Sequence, residues 1–287
     1  MRMAIVGSSG GMKSVFVQGV FAALEVGGLK AAAYAGASGS AFPAVGAWMG
    51  VAAHLGLPLW QNVHRTRQQG HDMGETLLIE VQNWQRMMRP DLFSAEHARL
   101  LISVSHVRTP EAAQLTQGGG ARKLGRQLLI QAARGDRSWV NAHLEMHLFD
   151  SQASDPTRRI TPENLAHIGY ASLRMLHTSK VPAWVNGQPY IDTSYTNVLP
   201  AVEVAALGYD AVIAVYTEPG TIYRDLFQQT TLPQFAYGVP IYPIQPEVDL
   251  ATLGAHFTEC SDEGVEAAYR HGEAMGVRFL EQWPRRA

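Results

Sequence analysis

Met3 to Val6 is an apolar run without alternation, so it reads as a short strand buried on both faces. A turn of small residues, Gly7-Ser8-Ser9-Gly10-Gly11, follows it. Val15, Phe16, Gly19, Val20, Ala23 and Leu24 then recur at helical spacing until Gly27-Gly28 stops them. The cycle repeats at once. Ala31 to Ala35 is a second apolar run ending at Gly36, and Ser40 to Val51 is small and apolar, in keeping with a buried helix. Two strand–turn–helix cycles predict the opening of a parallel sheet covered by helices.

The middle of the chain is more polar. Met73 to Met88 and Ala95 to Val104 predict helices separated by the breaker Arg89-Pro90-Asp91, and Gly118-Gly119-Gly120 predicts a loop before a helix from Arg122 to Arg134. Glu145 to Phe149 reads as a strand, Asp150 to Pro156 as a polar turn, and Pro162 to Leu176 as a helix. Pro189 to Asp192 reads as a strand tip, Ala201 to Leu207 as a helix, and Asp210 to Thr217 as the clearest buried strand. Val239 to Ile244 predicts a last strand, and Asp262 to Gln282 a long closing helix. No strand pattern is evident over 55–135, so that stretch is expected to be a helical cap inserted into one α/β domain spanning 1–287.

Composition narrows the class. Of 287 residues, 46% are hydrophobic and 17% charged, enough for a sizeable core. A net charge of −2 argues against a nucleic-acid partner, which a basic surface would mark. Cys260 is the single cysteine, so an internal disulfide and a CxxC metal site are both excluded. The apolar run after Arg2 is far shorter than the roughly 7–15 residues of a secretory core. No run approaches the ~20 apolar residues of a membrane span. The expectation is a soluble, cytoplasmic protein, with transient membrane contact left open.

Three stretches carry candidate chemistry. Gly36-Ala37-Ser38-Gly39-Ser40 lies between a strand and a helix, where a tight turn of small residues exposes a serine hydroxyl. In the opening turn, neither G-x-G-x-x-G nor G-x-x-x-x-G-K-S/T can be written over Gly7 to Ser14, which sets a dinucleotide or nucleotide phosphate aside. What remains is a cradle of amides at a helix start, suited to one oxyanion. The third is Tyr190-Ile191-Asp192-Thr193-Ser194: an aspartate at a strand tip serves as a base if it reaches a serine hydroxyl, and is otherwise a turn former.

Together the three stretches resemble the patatin-like phospholipases, serine lipid acyl hydrolases with a Ser-Asp dyad. That family carries a GGGxR/KG loop, a GxSxG elbow and a DGG/A motif, in this order. Here Ser9-Gly10-Gly11-Met12-Lys13-Ser14, Gly36-Ala37-Ser38-Gly39-Ser40 and Asp192-Thr193-Ser194 stand in those places. Ala171-Ser172-Leu173 through Val181-Pro182-Ala183 is similar to the segment before the family's aspartate strand. Asn197, Pro200, Ala205 and Gly208-Tyr209-Asp210 are similar to its continuation. The resemblance covers about residues 3–51 and 140–217.

The resemblance implies a three-layer α/β/α fold with a mainly parallel central sheet. It implies Ser38 as nucleophile, Asp192 as base, and the amides of Gly10, Gly11 and Met12 as oxyanion hole. Lys13, Gly36 and Gly39 would support them, and an acyl ester or lipid would be the substrate. It requires no cofactor and no metal; the sequence has no HExxH or comparable cluster, and none of the eleven histidines is needed. His177 is the histidine to watch, since it lies close to the aspartate strand in sequence. Gly118-Gly119-Gly120-Ala121-Arg122 imitates the family loop, but no buried strand precedes it and no GxSxG follows.

Four positions depart from the pattern. Serine replaces glycine at Ser9, Ser14 and Ser40, where a positive φ would cost on the order of 1 kcal/mol. Thr193 places a β-branched side chain beside Asp192, where it can narrow the pocket and exclude water. Three activities therefore stay open: an ester hydrolase, an acyltransferase or thioesterase on a soluble acyl substrate, and a non-catalytic lipid- or partner-binding protein. Oligomeric state is not legible.

Overall fold

The computed structural model describes residues 1–283. Nine strands form one mixed sheet: β1 (Met3–Gly7), β2 (Ala33–Ala37), β3 (Arg99–Val107), β4 (Leu144–Asp150), β5 (Trp184–Val185), β6 (Gln188–Ile191), β7 (Ala211–Val215), β8 (Phe235–Ala236) and β9 (Val239–Ile244). The order is β5-β6-β3-β2-β1-β7-β9-β8, with β4 also paired to β3. The central run β3-β2-β1-β7-β9 is parallel, whereas β4 and β6 join β3 antiparallel and short hairpins finish the edges.

The helices are α1 (Ser14–Val26), α2 (Ala41–Trp48), α3 (Ala52–Gln68), α4 (Met73–Met87), α5 (Pro110–Gln117), α6 (Ala121–Ala133), α7 (Ser138–His143), α8 (Leu165–Leu173), α9 (Ala201–Ala205) and α10 (Asp262–Gln282). They cover both faces of the sheet. Met3 and Ile5 of β1 point into a core shared with α1, α2, α8 and α10, while Ala4 and Val6 join a second core with α9. That alternation explains the unbroken apolar run: a strand buried on both faces has no polar side. A third apolar cluster joins α5, α6 and α7 to the ends of β3 and β4. The arrangement is α/β with a mostly parallel mixed sheet and is compatible with three α/β/α layers. Among the described residues, no helix is long and apolar enough to cross a membrane.

Most expected elements lie where the pattern placed them, to within a few residues at their ends. The exception is the stretch 55–135, where the pattern predicts a helical cap without a strand. Its segment from Ala95 to Val104 forms no helix; Arg99–Val107 is β3, paired to β2, β4 and β6 near the middle of the sheet. Leu100, Leu101, Ile102 and Val104 are buried on both faces, so the run shows no strand alternation, and its spacing also fits a helix. The helical segments α3–α4 and α5–α6 therefore flank a core strand.

Candidate active site

The two sequence motifs meet at the carboxyl ends of the parallel strands. β2 ends at Ala37, and Ser38 turns the chain into α2 with φ +51°, a left-handed conformation costing a non-glycine residue roughly 1–2 kcal/mol. Three contacts hold that turn. The Ser38 amide donates to Ser172 Oγ at 3.0 Å, and Ser172 Oγ donates to the Ser103 carbonyl at 2.8 Å. The Ser40 hydroxyl donates to the Ser8 carbonyl, tying the elbow to the opening loop. Gly36 is required by close approach, since a Cβ there would stand 2.5 Å from the Ser40 carbonyl oxygen.

Ser38 Oγ donates to Asp192 Oδ2 at 2.7 Å. The carboxylate is fixed from every side. Oδ1 accepts from the Ser194 amide at 2.8 Å and the Ser194 hydroxyl at 2.6 Å. The Asp192 backbone is held by its amide donating to the Arg174 carbonyl and by its carbonyl accepting from Ser105 Oγ. Asp192 has no solvent exposure, and Ser38 has 2%. Burial pushes the Asp192 pKa up to about 6, against the opposing pull of the bonds from Ser194 and Ser38. The phenol of buried Tyr195 is raised too, by burial first and then by the Asp192 charge. Neither Ser38 nor Asp192 bonds a histidine among the described residues. His177 faces Arg122 and Arg126 of α6 instead, and burial lowers its pKa.

The opening loop lies against the elbow. A Cβ on Gly39 would come within 2.5 Å of the Gly11 carbonyl oxygen. Gly11 has φ +55°, and a Cβ there would meet the Phe257 carbonyl at 2.1 Å, so glycine is required on both counts. The Gly10 and Gly11 amides donate to no acceptor among the described residues. Met12 is different: its amide donates to the Phe257 carbonyl at 2.9 Å. The expected three-amide hole is thus two amides from this loop, because one is spent anchoring the loop. The Gly39 amide, next after Ser38, also lacks an acceptor among the described residues.

Lys13 turns away from the hydroxyl. Its Nζ binds Glu218 at 2.8 Å and Asp249 at 3.0 Å. Burial works against its charge, but the two carboxylates outweigh it and raise the pKa. Lys13 therefore clamps the loop to the segment after β7 and to the turn that follows β9.

The serine substitutions fit without strain. Ser14 and Ser40 have φ −66° and −78°, and Ser9 is not among the positive-φ residues. Thr193 points inward, its hydroxyl 3.0 Å from Ser103 Oγ and 3.2 Å from the Asn197 carbonyl. It does not line the pocket in front of Ser38, so the expected narrowing there is absent. That pocket is an apolar slot walled by Phe42, Trp60, Leu77, Met175 and Phe257, with a cavity volume near 40 Å³. Such a volume has room for only about one or two waters.

Cys260 is buried with its thiol pushed up to about 12, an inert state. One group of three possible metal ligands exists among the described residues, His106, Glu145 and His147, and none of its members lines the Ser38 slot. No protein-family model and no curated protein matches the chain.

Proposed function

We propose that this chain is a serine acyl hydrolase of the patatin-like kind, cleaving a carboxylic ester through an acyl-Ser38 intermediate. The observation that carries the reading is the 2.7 Å bond from Ser38 Oγ to Asp192 Oδ2 on a left-handed strand-to-helix turn. Asp192 takes the hydroxyl proton as Ser38 attacks the carbonyl carbon, and returns it to the departing alkoxide. The amides of Gly10, Gly11 and Gly39 stabilise the tetrahedral oxyanion; each such donor is worth about 2.7–4 kcal/mol of barrier. Water, deprotonated by Asp192, then attacks the acyl carbon; the acyl–Oγ bond breaks, the acid leaves and the proton returns from Asp192 to Ser38 Oγ.

The acyl part lies in the apolar slot. Met12, Met73 and Met175 line it, and their flexible thioethers let it lengthen.

A panel of p-nitrophenyl esters of rising chain length tests the reading on wild type, Ser38→Ala and Asp192→Asn. Wild type is expected to release p-nitrophenol with a preference for short chains, and both variants to lose at least about 10³-fold. Unchanged turnover in Ser38→Ala refutes it. Products formed with and without an added alcohol separate hydrolysis from transfer.

A further inference from the structure

The ends of β3, β4 and β6 carry a second cluster, which the active-site reading does not use. The antiparallel register sets His106 opposite Glu145 on one side and opposite Tyr190 on the other. His147 lies two residues along β4 from Glu145, so period-2 alternation puts it on the same face. His106 and His147 consequently stack, with ring centroids 4.3 Å apart. His147 Nε2 stands 3.7 Å from Glu145 Oε2, and one ligand atom from each of the three residues lies within 4.8 Å of the others.

The surroundings of the two imidazoles bear on ligation. His147 Nδ1 is 3.2 Å from the Tyr190 hydroxyl. With Nδ1–H donating there, the Nε2 lone pair is left facing Glu145, which is the outer-shell bond typical of metal-bound imidazole. His106 Nδ1 is buried without a partner among the described residues, an unsatisfied nitrogen that nothing in the fold explains. His106 and His147 open into a cavity of about 300 Å³ also lined by Arg158, Asn186 and Gln188. Arg158 Nη1 is likewise buried without a partner among the described residues.

We infer that His106, Glu145 and His147 form a binding site for a divalent transition metal of the zinc class, with its fourth position open to the cavity. Two imidazoles and a carboxylate are the donor set of three-ligand zinc sites. Oxygen-preferring magnesium or calcium would not select it. Tetrahedral zinc holds its ligands roughly 3.3 Å apart. Metal binding therefore draws together groups that now lie up to 4.8 Å apart and turns the imidazoles out of their stack. Glu145, whose side chain is 56% exposed, is free to make that move. The Arg158 guanidinium suits a fourth ligand that is anionic, such as hydroxide or a carboxylate.

The test uses untagged full-length protein stripped with EDTA and titrated with Co²⁺, followed by visible absorption and displaced with Zn²⁺. One equivalent of Co²⁺ is expected to give the intense bands of four-coordinate cobalt, and either metal to raise the melting temperature. His106→Ala and His147→Ala should each abolish the bands. Glu145→Gln should weaken binding at least tenfold, and Tyr190→Phe about 10–100-fold through the outer-shell bond. Metal-free melting curves of the variants identify any that fail to fold, and exposed Glu145→Gln supplies the decision if the histidine variants do. Binding that is equal in wild type and Glu145→Gln, or only the weak spectrum of six-coordinate cobalt, overturns the site. Stabilisation by inorganic phosphate but not by metal overturns it too, since the pocket would then be an anion site built on Arg158.

Discussion

A buried base costs the fold stability when it ionises, and at Asp192 that cost follows from geometry. Its pKa rises from 3.8 to about 6, roughly two units. At about 1.36 kcal/mol per unit this is on the order of 3 kcal/mol. The folded value lies above the unfolded one, so the native state keeps its proton longer. Stability contributed by this group is complete below about pH 4, falls as pH rises through the window from about 4 to 6, and is lost above it. Asp192→Asn removes the titration while preserving shape. Its amide oxygen still accepts from Ser194, and its nitrogen can donate to Ser38 Oγ. The variant is therefore expected to be more stable than wild type by about 3 kcal/mol at pH 8, with the gap closing by pH 4. A chain of 287 residues unfolds with an entropy near 0.6 kcal/mol/K, so the melting temperatures should differ by on the order of 5 °C at pH 8. Urea unfolding of both proteins across this range is the assay, and the other titrating groups cancel in the difference. A gap independent of pH, or a variant less stable at pH 8, refutes the reasoning.

The same geometry fixes further outcomes. Ester turnover, kcat/KM, should rise with pH through an apparent pKa about 6, because only the ionised Asp192 accepts the Ser38 proton. Ser194→Ala deletes a 2.6 Å bond to that carboxylate, so the acid limb should move to higher pH; an unmoved limb contradicts this role for Ser194. Gly11→Ala sets a Cβ against the Phe257 carbonyl in a left-handed residue, and should cost both stability, by about 1–3 kcal/mol, and turnover. Met73→Ala shortens a side chain lining the slot and should shift the ester panel towards longer acyl chains, read as the ratio of kcat/KM values.

The sequence spoke most clearly where structure is local. The long closing helix has the same bounds, Asp262 to Gln282, in both readings, and β1, β2 and β7 stand out because their apolar runs are bounded by glycine or aspartate. Ser38 and Asp192 could be singled out because a tight turn and a strand tip leave signatures over a few residues, although their 2.7 Å contact joins positions 154 apart. What stayed hidden depends on distant partners. β3 is buried on both faces and shows no period that separates strand from helix. The Met12 amide is withdrawn by Phe257 and the Lys13 ammonium by Glu218 and Asp249, pairings that nothing near the loop announces. Ser172 reads as a helix residue until the fold brings it to Ser38, 134 positions away. The His106, Glu145 and His147 cluster exists only through the β3–β4 register.

The most direct measurement is covalent labelling by a fluorophosphonate at neutral pH, read by intact mass and peptide mapping. Wild type should gain one adduct on Ser38, with labelling abolished in Ser38→Ala and strongly slowed in Asp192→Asn. Folded wild-type protein that takes no label, or takes it on another serine, would contradict the assignment of Ser38 as the nucleophile.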